Sequence, residues 1–103
     1  MTPRYKVILM PEALSDLERI GDFIAETSVQ NAVNQLRRIC KSIEPLELFP
    51  QQYRVYQSKR RKSEIRVMSQ RPWLIYYRII EETKTVRVLT IRHGAQRQPK
   101  RFD

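Results

Sequence analysis

The sequence predicts an α+β fold in which a helical hairpin packs on a small antiparallel sheet, in the order β-α-α-β-β-β. Two observations predict it. The apolar residues follow a helical period from residue 13 to residue 46, and they alternate as in strands after residue 63. The chain has 103 residues and is 41% hydrophobic, which is enough for one modest core. We therefore expect a single domain spanning residues 1–103.

The first two elements are a short strand and an amphipathic helix. Residues 4–10, RYKVILM, form a run with apolar side chains on both faces, which is typical of a covered strand. Pro11 ends this strand and suits the first turn of a helix. Apolar residues then recur at spacings of four, three and four: Ala13, Leu17, Ile20 and Ile24. This stripe predicts a helix with one buried face.

A second helix follows after a short connection. Thr27 and Gln30 fit a capping box at its start. Its apolar stripe is made by Ala32, Leu36, Ile39, Ile43 and Leu46. Pro45 should kink or fray the helix, and Phe49-Pro50 should close it. Because the connection is so short, the two helices must form an antiparallel hairpin.

The rest of the chain predicts a three-stranded meander. Residues 51–63 form a polar, basic loop, and strands are expected over residues 64–69, 73–80 and 85–93. In the first of these, Ile65 and Val67 point to one face and Arg66 and Met68 to the other. We expect the strand of residues 4–10 to join the edge of this sheet.

The positive charge is concentrated in the second half of the chain. Residues 1–53 carry six basic and seven acidic residues, whereas residues 54–103 carry fourteen basic and four acidic ones, a net charge of +10. Such a surface should attract nucleic acid, an acidic protein segment, or both. The alternative is a cationic surface that only aids solubility.

Several classes of protein are excluded. No apolar run approaches the ~20 residues that cross a bilayer, and the N-terminal stretch lacks the features of a signal peptide. We therefore expect a cytoplasmic protein that does not contact membranes. A single cysteine, Cys40, and a single histidine, His93, cannot make a conventional zinc site. With only two glycines, a nucleotide-binding loop is absent as well, so we expect no metal and no cofactor.

The candidate functional residues are mostly basic. His93 suits general acid or base chemistry, but a histidine at a strand end that makes one structural hydrogen bond is the more common case. In the predicted meander Arg66 could approach Arg78, with Arg92 nearby, and such guanidinium groups would bind phosphates or carboxylates. This pattern favours binding more than catalysis.

The succession of motifs resembles the toxins of the RelE/ParE superfamily from bacterial toxin–antitoxin modules. The residues that carry the resemblance span nearly the whole chain: the helix from Ala13 to Ile24, Leu46 to Pro50, EIRV at 64–67, IYYRI at 75–79, and VLTIRHGAQR at 88–97. The combination of RV, YYRI and HGxxR at these distances is similar to the ParE side of the superfamily.

The resemblance implies a plasmid-stabilisation type of toxin that inhibits DNA gyrase by binding and trapping it, without chemistry of its own. It also implies a cognate ParD-like antitoxin with an acidic C-terminal segment, and contact with operator DNA only through that antitoxin. The predicted target- and antitoxin-binding residues are Lys59, Arg60, Arg61, Lys62, Arg66, Arg78, Arg92, His93 and Arg97.

Two alternatives remain open. The RelE branch implies a ribosome-dependent mRNA endonuclease, and in that case Arg66, His93 and Arg97 would be the catalytic residues. However, Leu74 stands about where those ribonucleases carry an arginine, and no tyrosine follows Tyr77. The other alternative is a stand-alone RNA- or DNA-binding module that uses the same basic face.

Overall fold

The structure, a computed structural model, describes residues 4–57 and 64–96. Within these ranges it contains two α-helices and five strands: β1 (Lys6–Leu9), α1 (Pro11–Ala25), α2 (Val29–Ile43), β2 (Val55–Gln57), β3 (Ile65–Gln70), β4 (Trp73–Ile80) and β5 (Thr85–His93). Short 3₁₀ helices cover Glu44–Glu47, Pro50–Gln52 and Glu81–Thr83. The predicted fold class, a helical hairpin on a small sheet, is confirmed.

The sheet is mixed, with the strand order β1-β5-β4-β3-β2. β2 to β5 pair antiparallel, while β1 joins the edge and runs parallel to β5. Parallel pairing is available to β1 because the whole helical hairpin lies between it and the meander and serves as the crossover. β2 was expected to be part of a loop, since a strand of three residues is too short to show alternation.

The helices begin and end where proline and serine allow it. Pro11 occupies the first turn of α1, as predicted. The cap of α2 is Ser28 and not Thr27, because Ser28 has an extended backbone and its Oγ accepts a hydrogen bond from the Asn31 N–H at 3.1 Å. α2 ends at Ile43, and a 3₁₀ helix with Pro45 in its first turn begins at the next residue, Glu44. Neither α1 nor α2, nor any other helix of the described ranges, is long and apolar enough to cross a bilayer.

Both faces of the sheet are covered by apolar side chains. The larger cluster lies between the sheet and the helices and includes Ile20, Ile39, Ile75, Tyr77 and Val88. The smaller cluster lies on the other face, which we call the outer face, and consists of Ile65, Val67, Tyr76 and Leu89 with Met10, Tyr56 and Leu74 packed against them. Strand alternation places the functional candidates of β3 to β5 on one or the other of these faces.

Asp16 fixes the last part of β5. β1 pairs only with Thr85–Val88, so the following residues of β5 have no strand on that side. Asp16, which is 5% exposed, accepts a hydrogen bond from Thr90 Oγ1 at 2.6 Å and another from the Ile91 N–H at 2.9 Å. Its other oxygen pairs with Arg19. A carboxylate of α1 therefore replaces the missing strand and holds the segment that carries Arg92 and His93.

Candidate functional site

A cleft of about 460 Å³ opens between α1 and the adjoining ends of β4 and β5. Its lining residues are Glu12, Asp16, Arg19, Ile20, Phe23, Trp73, Ile91, Arg92, His93 and Gln96. Two acids and two arginines face each other here, and the Phe23 ring on the rim is 73% exposed. The cleft combines an apolar floor with paired charges, which suits binding of a polypeptide side chain.

His93 is held in place by its own strand end. Its Nδ1 accepts a hydrogen bond from the Ala95 N–H at 3.0 Å, and its backbone N–H donates to Gln96 Oε1 at 2.7 Å. The imidazole ring packs edge-on against Trp73, with 5.4 Å between the centroids. Because the Nδ1 lone pair is used, the proton of the neutral ring is on Nε2. These contacts are those of a strand-end histidine.

Gly94 follows His93 and starts the turn that leads out of β5. Its N–H donates to the Pro72 carbonyl at 2.8 Å, which ties the end of β5 to the turn between β3 and β4. Gly94 has no positive φ, so this turn does not depend on the conformational freedom of glycine. A Cβ at Gly94 would lie 3.4 Å from the Pro72 oxygen, an ordinary contact.

Arg92 lies where the cleft meets the outer face of the sheet. It pairs with Leu74 across the strands and therefore shares the outer face with that residue. Its guanidinium also reaches round the open edge of β5 to Glu12, with 3.7 Å between Nη2 and Oε1. Arg92, whose side chain is 33% exposed, thus lines the cleft at the edge of the outer face.

The outer face carries the other strand cations. Arg78 and Arg87 are direct partners across β4 and β5, which brings two like charges together. The Nε of Arg78 is buried and has no hydrogen-bond partner in the described part of the chain. The strand residues include no Asp or Glu, so no acid of the sheet offsets these charges. Arg87 was not among the predicted residues, although its alternation with Val86 and Val88 could have placed it here.

Two tyrosines lie beside the arginines of the outer face. Tyr56 and Tyr76 make an edge-on contact with 5.0 Å between ring centroids. Burial, and then the neighbouring Tyr56, raise the pKa of Tyr76, whereas Arg54 and Arg92 act in the opposite direction. The hydroxyl of Tyr76 therefore remains protonated at neutral pH, within the electrostatic influence of Arg54 and Arg92. Such a surface can bind phosphate or carboxylate groups.

Arg66 does not belong to this surface. The register pairs Arg66 with Tyr77 and Ile65 with Arg78, so Arg66 and Arg78 point to opposite faces and the expected approach between them is wrong. Arg66 Nη1 donates to the carbonyls of Gln51 and Tyr53 at 3.0 and 2.6 Å. Its Nη2 pairs with Glu64 at 2.6 Å, and the side chain is only 17% exposed.

The remaining predicted site residues lie outside the described ranges: Lys59, Arg60, Arg61, Lys62 and Arg97. Their binding role stays a prediction. Within residues 4–57 and 64–96, no group of three or more histidine, cysteine or acidic side chains could hold a metal ion.

The chain is similar to solved structures described as ParDE and RelE–RelB systems and as a RelE toxin. The chain superimposes on the chromosomal ParDE toxin–antitoxin system of Pseudomonas aeruginosa with a TM-score of 0.72 and 18% identity, covering 89% of this chain and 98% of that one. For the archaeal RelE–RelB complex of Pyrococcus horikoshii the TM-score is 0.66 and the identity 12%, covering 91% and 99%. The isolated RelE toxin of Escherichia coli gives 0.57 and 21%, covering 91% and 87%. At these identities the likeness establishes the RelE/ParE fold.

The sequence itself identifies the family. Residues 7–98 match the family described as ParE toxin of type II toxin–antitoxin system, parDE. The chain therefore belongs to the ParE toxin family, as the motif succession predicted. No curated protein matches the sequence.

Proposed function

We propose that this toxin inhibits DNA gyrase by binding it and that a ParD-like antitoxin with an acidic C-terminal segment neutralises it in the cytoplasm. Membership of the ParE family supports the proposal, and the arrangement of the candidate residues favours binding over catalysis. The antitoxin would itself contact operator DNA.

The observation that carries the proposal is the state of the residues that would perform RNA cleavage. The guanidinium of Arg66 is engaged by two backbone carbonyls and Glu64. His93 uses its Nδ1 for the Ala95 N–H and packs its ring on Trp73. A general base needs a lone pair directed at the reacting group, and the lone pair of the neutral His93 ring is occupied by the Ala95 N–H. Among the arginines of the outer face within residues 4–57 and 64–96, Arg78 and Arg87 form no ion pair and Arg92 has only its pair with Glu12 at 3.7 Å, so these three can bind a target.

An acidic antitoxin fits the same charge distribution. Net charge is +9 for the chain and +10 for residues 54–103. A flexible acidic segment that orders on such a surface would gain charge-assisted hydrogen bonds to the guanidinium groups. The Pseudomonas aeruginosa and Pyrococcus horikoshii relatives are described as a ParDE system and a RelE–RelB complex, which supports a partner of this kind.

A supercoiling assay with purified toxin and gyrase tests the proposal. Wild-type toxin should inhibit supercoiling, and the double variant Arg78→Ala/Arg87→Ala should need about tenfold more protein, which corresponds to ~1.4 kcal/mol. Arg38→Ala is the matched control, because Arg38 is an exposed arginine on α2, in the layer away from the outer face. Wild-type toxin that leaves gyrase active even in large excess would refute the proposal.

A second candidate function is ribosome-dependent cleavage of mRNA. The observation that favours it is the placement of Tyr76 and Tyr56 among Arg54, Arg78, Arg87 and Arg92 on the outer face, where bases could stack and phosphates could bind. Cleavage of a transcript in a translating extract, with no cleavage of the same transcript in the absence of ribosomes, would establish it. Loss of that cleavage in Arg92→Ala, with Arg38→Ala unaffected, would assign it to this face.

A further inference from the structure

The outer surface of the helical hairpin has an apolar seam where α1 and α2 meet. The helices approach closely at Gly21, since a Cβ there would lie 3.0 Å from Leu36 Cδ1. Leu14 precedes Gly21 by two helical turns and points to the same side of α1, and it is 52% exposed. Val29 and Val33 share a side of α2 with Leu36 and are 69% and 41% exposed. These exposed side chains lie along one line and lack a partner surface within the described part of the chain.

The two sides of the seam have opposite charge. On α1 the seam is flanked by Glu18 and Asp22, and on α2 by Arg37 and Lys41, all of them exposed. α2 contains no acidic residue at all, while α1 contains four acids and a single arginine. None of the four flanking side chains forms an ion pair within residues 4–57 and 64–96. The hairpin therefore presents an acidic row, an apolar seam and a basic row, in that order.

This pattern is complementary to itself. We propose that two copies of the chain associate through their hairpins, with α1 of one copy lying on α2 of the other around a two-fold axis parallel to the helices. Such an axis places each acidic row opposite a basic row and buries both apolar seams. A two-fold axis across the helices would instead place α1 on α1, and like charges would face each other. The charge pattern therefore selects one of the two arrangements.

The register of the helices supports the pairing. Gly21 is level with Leu36, and the helices run antiparallel. Glu18, three residues before Gly21, is accordingly level with Ile39, midway between Arg37 and Lys41. The two-fold axis keeps this level, so Glu18 of one copy lies over the Arg37 and Lys41 pair of the other. The result is a four-helix arrangement with acidic and basic helices alternating.

The association is expected to be weak and dependent on concentration, because the few exposed apolar side chains of the seam offer less surface area than a permanent dimer buries. It leaves the outer faces of both sheets free, since each sheet lies on the far side of its hairpin. Association through the hairpins does not depend on gyrase. If the toxin forms dimers but leaves gyrase active, the proposed gyrase inhibition is refuted and the proposed dimer is not.

Charge reversal provides the test. Glu18→Lys/Asp22→Lys makes both rows basic, and Arg37→Glu/Lys41→Glu makes both rows acidic. In sedimentation equilibrium, wild-type toxin should approach twice its chain mass of 12.4 kDa as its concentration rises. Each reversed variant should stay at the mass of one chain. An equimolar mixture of the two variants should again reach twice the chain mass, because every acidic row then meets a basic one.

The controls separate pairing from folding. Glu47→Lys/Glu82→Lys reverses two exposed acids away from the seam and should associate as the wild type does. Val33→Asp should abolish association with an unchanged circular dichroism spectrum. A wild-type toxin that stays monomeric over the micromolar range, or reversed variants that fail to associate when mixed, would overturn the inference. If the reversals act only on binding of the antitoxin encoded beside the toxin, the seam is a site for that partner, and the dimer is excluded.

Discussion

At the scale of single residues, Asp16 is the carboxylate that holds the end of β5 against α1. It is buried, and one of its oxygens accepts both the Thr90 hydroxyl and the Ile91 N–H. Asp16→Ala would leave the Ile91 N–H buried without an acceptor, so we expect a loss of about 2–3 kcal/mol in the free energy of unfolding. Urea denaturation measures this loss. Asp22→Ala, at an exposed position of the same helix, should change stability by less than about 0.5 kcal/mol. Equal effects of the two variants would contradict the role of Asp16.

The buried hydroxyl of Tyr77 limits the stability of the folded protein at alkaline pH. Its hydroxyl is fully buried and donates to the Pro50 carbonyl. Burial raises the pKa of Tyr77 above its ordinary value of 10.0. The folded state holds the Tyr77 proton more tightly than the unfolded state does. The contribution of this hydroxyl to the free energy of unfolding is therefore complete below pH 10 and is lost as the pH rises above it.

Tyr77→Phe tests this limit. The variant should lose about 1 kcal/mol at pH 7, since the Pro50 carbonyl loses its donor. Above pH 10 its stability should fall less steeply than that of the wild type. Urea denaturation between pH 7 and pH 11 compares the two slopes. Parallel decline of both proteins would show that Tyr77 does not titrate on unfolding.

At the scale of elements, Arg66 fastens the segment between α2 and β3. Its guanidinium donates to the carbonyls of Gln51 and Tyr53, next to the short strand β2. Arg66→Ala should therefore cost about 2–3 kcal/mol and release β2, since two carbonyls lose a charged donor. Arg66→Lys should recover less than half of this, because one ammonium cannot reproduce the planar fork. Hydrogen exchange at β2 is the measurement, and unchanged protection in Arg66→Ala would contradict it.

Most elements could be predicted from the sequence because their signals are local. The apolar stripes of α1 and α2 and the alternation of β3 to β5 fix the type of each element. The parallel pairing of β1 and the strand β2 could not be predicted, since both depend on which strand lies alongside and not on local period. The same limit affects the site. The positions of Arg66 and Arg78 on opposite faces follow from the pairing register. Asp16 accepts its two buried hydrogen bonds from Thr90 and Ile91, which follow it in the sequence by 74 and 75 positions.

At the scale of the whole molecule, the charges are sorted by layer. Acids are concentrated on α1, while the strands hold basic residues and no acid. A net charge of +9 opposes compaction through self-repulsion, and the cross-strand pair of Arg78 and Arg87 places two of these charges side by side. We infer that a fold which keeps such a pair accepts some loss of stability so that this surface can bind an anionic partner.

Arg87→Gln tests this trade between stability and binding. Removing one of two opposed charges should raise the free energy of unfolding by about 0.2–1 kcal/mol. The gain should shrink between 0.1 and 1 M NaCl, because the Debye length falls from about 10 Å to about 3 Å and screens the repulsion in the wild type. The same variant should inhibit gyrase less well. Arg38→Gln on α2 should neither raise the free energy of unfolding in a salt-dependent way nor weaken the inhibition of gyrase. Urea denaturation at the two salt concentrations, beside the supercoiling assay, measures both effects. If Arg87→Gln is less stable than the wild type at low salt, Arg87 makes favourable contacts in the folded protein. That result would contradict the view that the outer face retains unpaired charge to bind an anionic partner.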